Sequence, residues 1–282
     1  MKQYSEGQVK VLELLAHHDN VSLMVAPSFV VDFDYKKFVP LMKGLGFDFV
    51  CELTFGAKTV NSEYHEYISK NCMQKRFIAT TCPMCVSIVK AKNPEMTKYL
   101  LPIVSPMVAM AKVLAKKFPK NKIVFLSPCT AKKIEAQNSG MVDVSLTFKE
   151  MKQLLRKEKV KPKKCSHLFD GFYNDYTKVY PLAGGLSKTL NKKGILTKSQ
   201  MCAKDGCTDF TSFFNQNKDK RFFDILFCDG GCIGGNGVAA KTPVFMRKYS
   251  VLSYRKYAKT EKLGKKKGLE KYTKGIDFSK SF

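Results

Sequence analysis

No stretch of this sequence reaches the roughly 18 consecutive apolar residues that a membrane-spanning helix requires. The most apolar segment, PIVSPMVAMAKVLAKKF (102–118), is broken by lysines. The first twenty residues contain Glu6 and Glu13 and no small-residue cleavage site, so they do not read as a secretory signal and a cytoplasmic location is expected. Acidic residues are few, 24 against 49 Lys plus Arg, which leaves a formal net charge of +25. Arginine is scarcer still, confined to positions 76, 156, 221, 247 and 255. Nucleic acid is therefore not expected as a partner: arginine is the side chain that reads phosphate and guanine bidentately, the lysines are spread along the chain, and no nucleic-acid motif accompanies them. A lysine-rich composition in general, or an acidic protein partner, accounts for the charge equally well. There is no tryptophan, no Ser/Gly-rich or Pro-rich linker and no visible internal repeat.

What is present is a chain of 282 residues, 44% hydrophobic, enough to bury a substantial core. Short β-rich runs lie around 22–28, 47–53, 76–81, 122–128 and 222–228, with helix-like stretches near 35–45, 62–72, 84–92, 107–118, 147–158 and 185–193. Thr147 with Glu150 three residues later is a capping box opening the fifth of these. Strands alternating with helices predict an α/β fold with mainly parallel sheets. From about 255 the sequence is basic without a clear period, so residues 1–250 are expected to form the functional domain and 251–282 a basic surface tail or terminal helix.

Ten cysteines are many for a reducing compartment, where clustered thiols point to a metal or a reactive thiolate before disulfides. Three β-rich runs end directly on a cysteine turn: TTCPMC (80–85), SPCTAKKIE (127–135) and CDGGCIGG (228–235). In an open α/β sheet, ligands bind beyond the carboxyl ends of the strands, so these thiols can converge. Four of them suffice for an iron–sulfur cubane. Cys82-x2-Cys85 could also be half a zinc site, although no second pair follows at zinc-finger spacing. The glycines around Cys232, Gly231 among them, let backbone approach a bulky inorganic group and permit positive φ.

These three signatures, in this order, resemble those of the catalytic domain of the iron–iron (FeFe) hydrogenases. Ala26-Pro27-Ser28, GFDFVCELTFGA (46–57) and YPLAGGL (180–186) extend the likeness over most of 20–245. The resemblance implies two lobes of mainly parallel sheet flanked by helices, with the cofactor buried between them. It implies that Cys82, Cys129, Cys228 and Cys232 ligate a 4Fe-4S cluster, and that Cys232 also bridges to a diiron unit carrying carbon monoxide, cyanide and a bridging dithiolate. Lys132 would sit beside one cyanide, while the Pro27 backbone and Ser28 would hydrogen-bond the other. Ser127 and Ala26 would line the same pocket. The implied reaction is reversible reduction of protons to dihydrogen. Electrons would come from an acidic carrier such as a ferredoxin or flavodoxin, and dedicated hydrogenase maturation proteins would insert the cofactor. Two alternatives share the signatures: a low-turnover hydrogen or redox sensor, and a non-catalytic iron–sulfur assembly factor.

The sequence departs from the family's best-known members in three places. Thr81 stands where they carry a proton-relay cysteine, Ser127 where they carry methionine, and Met84-Cys85 where they carry Gly-Trp. A threonine hydroxyl passes a hydrogen bond but does not hold a thiolate state, so slower turnover is expected. Cys85 is either a displaced relay thiol or a small packed residue. Glu63 and Glu66, three apart on a predicted helix, are either the family's outward proton path or a solvated face. Glu135 is expected to hold its turn by a salt bridge. Cys202-x4-Cys207 suggests an extra metal or two packed thiols, and Cys165 and the four histidines, at 17, 18, 65 and 167, match no signature.

Overall fold

The structure is a computed structural model that describes residues 3–17, 20–172, 176–190, 194–260 and 269–282. After helix α1 (Glu6–His17), strand β1 (Val21–Val25) is buried at every residue, Ser22 included, as expected when both faces of a parallel sheet are covered. It pairs in parallel with β2 (Phe49–Glu52) on one side and β4 (Lys122–Ser127) on the other, and β4 pairs with β5 (Val144–Thr147), giving the order β2-β1-β4-β5. A second, smaller parallel sheet has the order β3-β7-β6, from β3 (Phe77–Ile78), β6 (Met201–Lys204) and β7 (Phe222–Ile225). All the pairings within both sheets are parallel, as expected.

Helices cover these sheets. α2 (Tyr35–Leu45) links β1 to β2, and Asp34 caps it by accepting from Lys36 N–H. α3 (Thr54–Lys70) lies along α5 (Pro106–Lys117). A Cβ at Gly56 would come within 2.4 Å of Pro106 O, so only glycine allows this approach. α4 (Pro83–Lys92) follows β3, α6 (Ala131–Ser139) follows β4, and α7 (Phe148–Lys157) opens with the expected capping box between Thr147 and Glu150. α8 (Gly185–Leu190) and α9 (Phe210–Gln216) flank the smaller sheet; the last three residues of the helix expected over 185–193 fall outside the described residues.

The expected boundary at 250 falls inside a helix. α10 (Val244–Thr260) runs across it and buries Val251, Tyr254 and Ala258 against the body of the protein. After α11 (Leu269–Thr273) the chain returns to the core: Val104 N donates to Phe278 O at 2.9 Å, Ile103 bridges Ser279, and Phe278 is 3% exposed. α10 thus begins before residue 251 and is followed by α11, and Phe278 beyond them is buried rather than part of a surface tail. The basic composition misleads because the lysines project outward while a sparse apolar spacing faces in.

Candidate metal centre

Four strand ends face one chamber. From the larger sheet, β1 runs into the 3-10 turn Pro27–Val31, whose first proline supplies a preset φ, and β4 runs into Ser127-Pro128-Cys129. In the latter the Ser127 hydroxyl accepts Cys129 N–H at 3.1 Å, a local turn that fixes the cysteine backbone. From the smaller sheet, β3 leads to Cys82, the residue before α4, and β7 leads to Cys228 and Cys232. Between the last two, Gly230 and Gly231 adopt φ of 77° and 74°, and a Cβ on Gly231 would lie 2.6 Å from Pro181 O. Pro181 O in turn accepts Cys232 N–H at 2.8 Å. The second and third cysteine turns are stitched together: Asn236 accepts Thr130 N–H and donates to Thr130 Oγ1, and Gly237 N–H donates to Pro128 O.

Ala26, Pro27, Ser28, Thr81, Cys82, Ser127, Cys129, Lys132, Cys228, Gly231 and Cys232 all line this chamber, and Cys85 does not. It belongs instead to the buried cluster that includes Ile78, Val89, Cys207 and Phe223, 2% exposed, with its thiol directed at Ile225 O. A displaced relay thiol facing the chamber is thus not what the fold builds; the third helical position of α4 turns away from the site. Nor do Glu63 and Glu66 face it. Glu66 is exposed and paired with Lys70 at 2.6 Å, and the inward face of α3 carries Ala57, Asn61 and Tyr64.

Electrostatics set Cys82 apart from Cys228 and Cys232. The Cys85 thiol beside it, with backbone N–H groups and the Lys132 ammonium, draws Cys82 down to about 6 against the desolvation of its site. Burial first, then the neighbouring Cys129 and Cys82, pushes Cys228 up to about 11. Burial and the Cys82, Cys129 and Cys228 sulfurs push Cys232 up as well. Thiols that raise one another in this way are relieved by a cationic core, and binding one releases their protons. Among the described residues no three His, Cys, Asp or Glu side chains gather closely enough for a single metal ion. Cys202 and Cys207 build no metal site either: Cys207 is a buried member of the smaller core and Cys202 contacts Asn217.

Two polar groups of the chamber wall stand out beyond the sulfurs. The Ser28 hydroxyl is wholly buried and has no hydrogen-bond partner among the described residues, which is costly unless a ligand supplies one. Lys132 directs its ammonium to Thr81 O at 3.2 Å and to Glu135 at 2.5 Å, confirming the expected salt bridge of Glu135. Pro27 has no N–H, so the expectation that its backbone donates to a ligand is corrected: of that pair, Ser28 is the donor. The rest of the wall, including Leu53, Phe125 and Phe227, is apolar. Sequence reasoning did not find those residues, since an apolar wall reads like any other core. It also missed Tyr180, whose hydroxyl donates to Asn61, although its segment was noted.

The family described as iron-only hydrogenase large subunit, C-terminal domain, matches residues 19–236. Among solved structures, an FeFe-hydrogenase HydA studied for stepwise H-cluster assembly superimposes with a TM-score of 0.69 at 15% identity, covering 88% of each chain. A single-residue variant of the FeFe-hydrogenase HydA1 from Chlamydomonas reinhardtii gives 0.68 at 14% identity, again with 88% of each chain covered. A third, from work on oxygen inactivation through the 2Fe subcluster, gives 0.67 at 14%, covering 88% of this chain and 89% of its own.

Proposed function

The chain belongs to the iron-only hydrogenase large-subunit family, C-terminal domain, and on that premise we propose that it holds an H-cluster and catalyses reversible reduction of protons to dihydrogen with electrons from an external carrier. The observation that carries the reading is the single chamber ringed by Cys82, Cys129, Cys228 and Cys232 and completed by an unpartnered buried Ser28 hydroxyl and the Lys132 ammonium. The four thiolates would hold the cubane, Cys232 also reaching the diiron unit. When bound, the diiron unit with its carbon monoxide, cyanide and dithiolate ligands supplies the redox chemistry.

The chain's own groups do the rest. Lys132, a compact triple donor held by Glu135, is suited to an anionic cyanide nitrogen, and Ser28 Oγ to the other. The apolar wall excludes water and strengthens both contacts. Thr81, on the chamber wall next to Cys82, carries a hydroxyl that accepts and donates in turn and can hand a proton inward.

Thr81 also favours a second reading, a low-turnover sensor with the same cofactor, because a hydroxyl is a poorer proton store than a thiol. A cluster-only assembly factor has no use for Ser28 and Lys132 as placed. The test is anaerobic iron–sulfur reconstitution, loading with a synthetic diiron complex, infrared spectroscopy of bound carbon monoxide and cyanide, and gas evolution from reduced viologen. Bands with rapid gas support the enzyme, bands with little gas the sensor. A protein that binds iron but shows no bands would leave the assembly factor.

A further inference from the structure

Cys82 immediately precedes α4, Pro83 begins the helix, and Cys85 is its third residue. Residues three apart at a helix start share a face, with Cβ atoms about 5–6 Å apart, close to the separation a disulfide bridges after a small adjustment. The two thiols lie close enough to perturb one another electrostatically. They face different surroundings: Cys82 borders the chamber, whereas Cys85 backs onto the buried cluster of Val89, Cys207 and Phe223. A Cys-Pro-x-Cys placed between a strand end and a helix is the arrangement of dithiol redox sites. Cys129, Cys228 and Cys232 belong to other turns.

From this juxtaposition we propose that Cys82 and Cys85 form a thiol–disulfide couple in the cluster-free protein, exchanging with low-molecular-weight disulfides, and that the oxidised pair refuses the cubane. The second half rests on the function proposed above, because it counts Cys82 as a cluster ligand. The Cys82 thiolate attacks one sulfur of the small disulfide, whose S–S bond breaks and releases one thiolate, leaving a mixed disulfide on Cys82. Cys85 then attacks the Cys82 sulfur; the Cys85 proton passes to the second departing thiolate as the internal bond forms. Two protein thiols are oxidised and one small disulfide is reduced to two thiols. The chamber thereby loses one of its four sulfurs reversibly, and a dithiol reductant restores it.

The test uses the full chain without iron. It is equilibrated anaerobically in mixtures of oxidised and reduced glutathione, alkylated and digested with trypsin. Cleavage after Arg76 and Lys90 leaves both cysteines on one peptide, 77–90. The couple predicts this peptide unalkylated and lighter by two hydrogens than the dithiol, and a persistent glutathione adduct on Cys82 in Cys85→Ser. It also predicts that the oxidised wild type takes up no iron until reduced. Recovery of both thiols alkylated while exposed Cys72 and Cys165 carry glutathione overturns the couple, as does Cys82 joined to a different cysteine. Iron uptake by the oxidised form overturns the gating. Failure of the reduced form to bind iron would count against the cluster reading instead, leaving the disulfide result standing.

Discussion

Lys178 and Glu52 meet in the interior as an ion pair, the lysine side chain wholly buried and the glutamate side chain 3% exposed. The ammonium also donates to Tyr254 Oη at 2.7 Å, and Thr54 donates to the same carboxylate. The pair therefore ties the end of β2, the turn leading to Tyr180 and Pro181 on the chamber wall, and α10. Burial raises the Glu52 carboxyl, and Lys178 opposes that rise. Removing one member leaves an uncompensated buried charge. Lys178→Met is expected to lose about 3–5 kcal/mol of stability, and the double variant with Glu52→Gln much less. Urea unfolding of the single and double variants measures both.

Replacing Thr81 by cysteine returns a titratable thiol to the chamber wall. The backbone carbonyl of residue 81, which Lys132 contacts, is kept. If proton delivery limits turnover, gas evolution by the loaded Thr81→Cys variant should rise by about tenfold or more. An unchanged rate would place the limiting step elsewhere.

Asp224 gives a pH signature. Burial pushes its carboxyl up to about 6, against the Ser187 N–H and hydroxyl that donate to it. In the unfolded chain the group titrates near 3.9. Between about pH 4 and 6 the folded protein keeps a proton that the unfolded chain has released, so this contribution is full below 4 and is lost as pH rises through 6, about 3 kcal/mol in all. Asp224→Asn cannot ionise yet still accepts from Ser187. Its unfolding free energy minus that of the wild type should therefore climb between pH 4 and 6.5 and be flat above.

A formal charge of +25 should steer an acidic electron carrier and repel a cationic one. Reduction by an acidic ferredoxin is expected to slow about tenfold as salt is raised from about 0.05 to 0.5 M, because the Debye length shrinks from about 14 to about 4 Å. Reduction by a viologen dication should not slow. A ferredoxin rate indifferent to salt would remove electrostatic steering from the account.

The cysteine turns were legible because an apolar run that stops on cysteine records a strand and its terminal thiol together, as 76–82, 122–129 and 222–228 do. The wall between them was not, since Leu53 and Phe125 carry no chemistry to mark them. β5 escaped because it is four residues long and merges into the capping box of α7. β6 escaped as an edge strand with two exposed residues. α10 was hidden by composition: Val251, Tyr254 and Ala258 recur at helical spacing, but exposed Phe245, Tyr249 and Leu252 blur the stripe. For Cys85 the sequence supplies spacing but not rotation about the helix axis, and rotation decides which side of Cys82 the sulfur occupies.

Three of the four chamber sulfurs ride on neighbouring strands β3 and β7 of one sheet, while Cys129, with Ser28, comes from the other. The inorganic core proposed for this chamber would act as a rivet through two plates, and slippage between the plates would strip the lone Cys129 bond first. On that reading iron retention would be a strain gauge for lobe alignment: substitutions remote from any sulfur, if they loosen the seam, should bleed metal through that one corner.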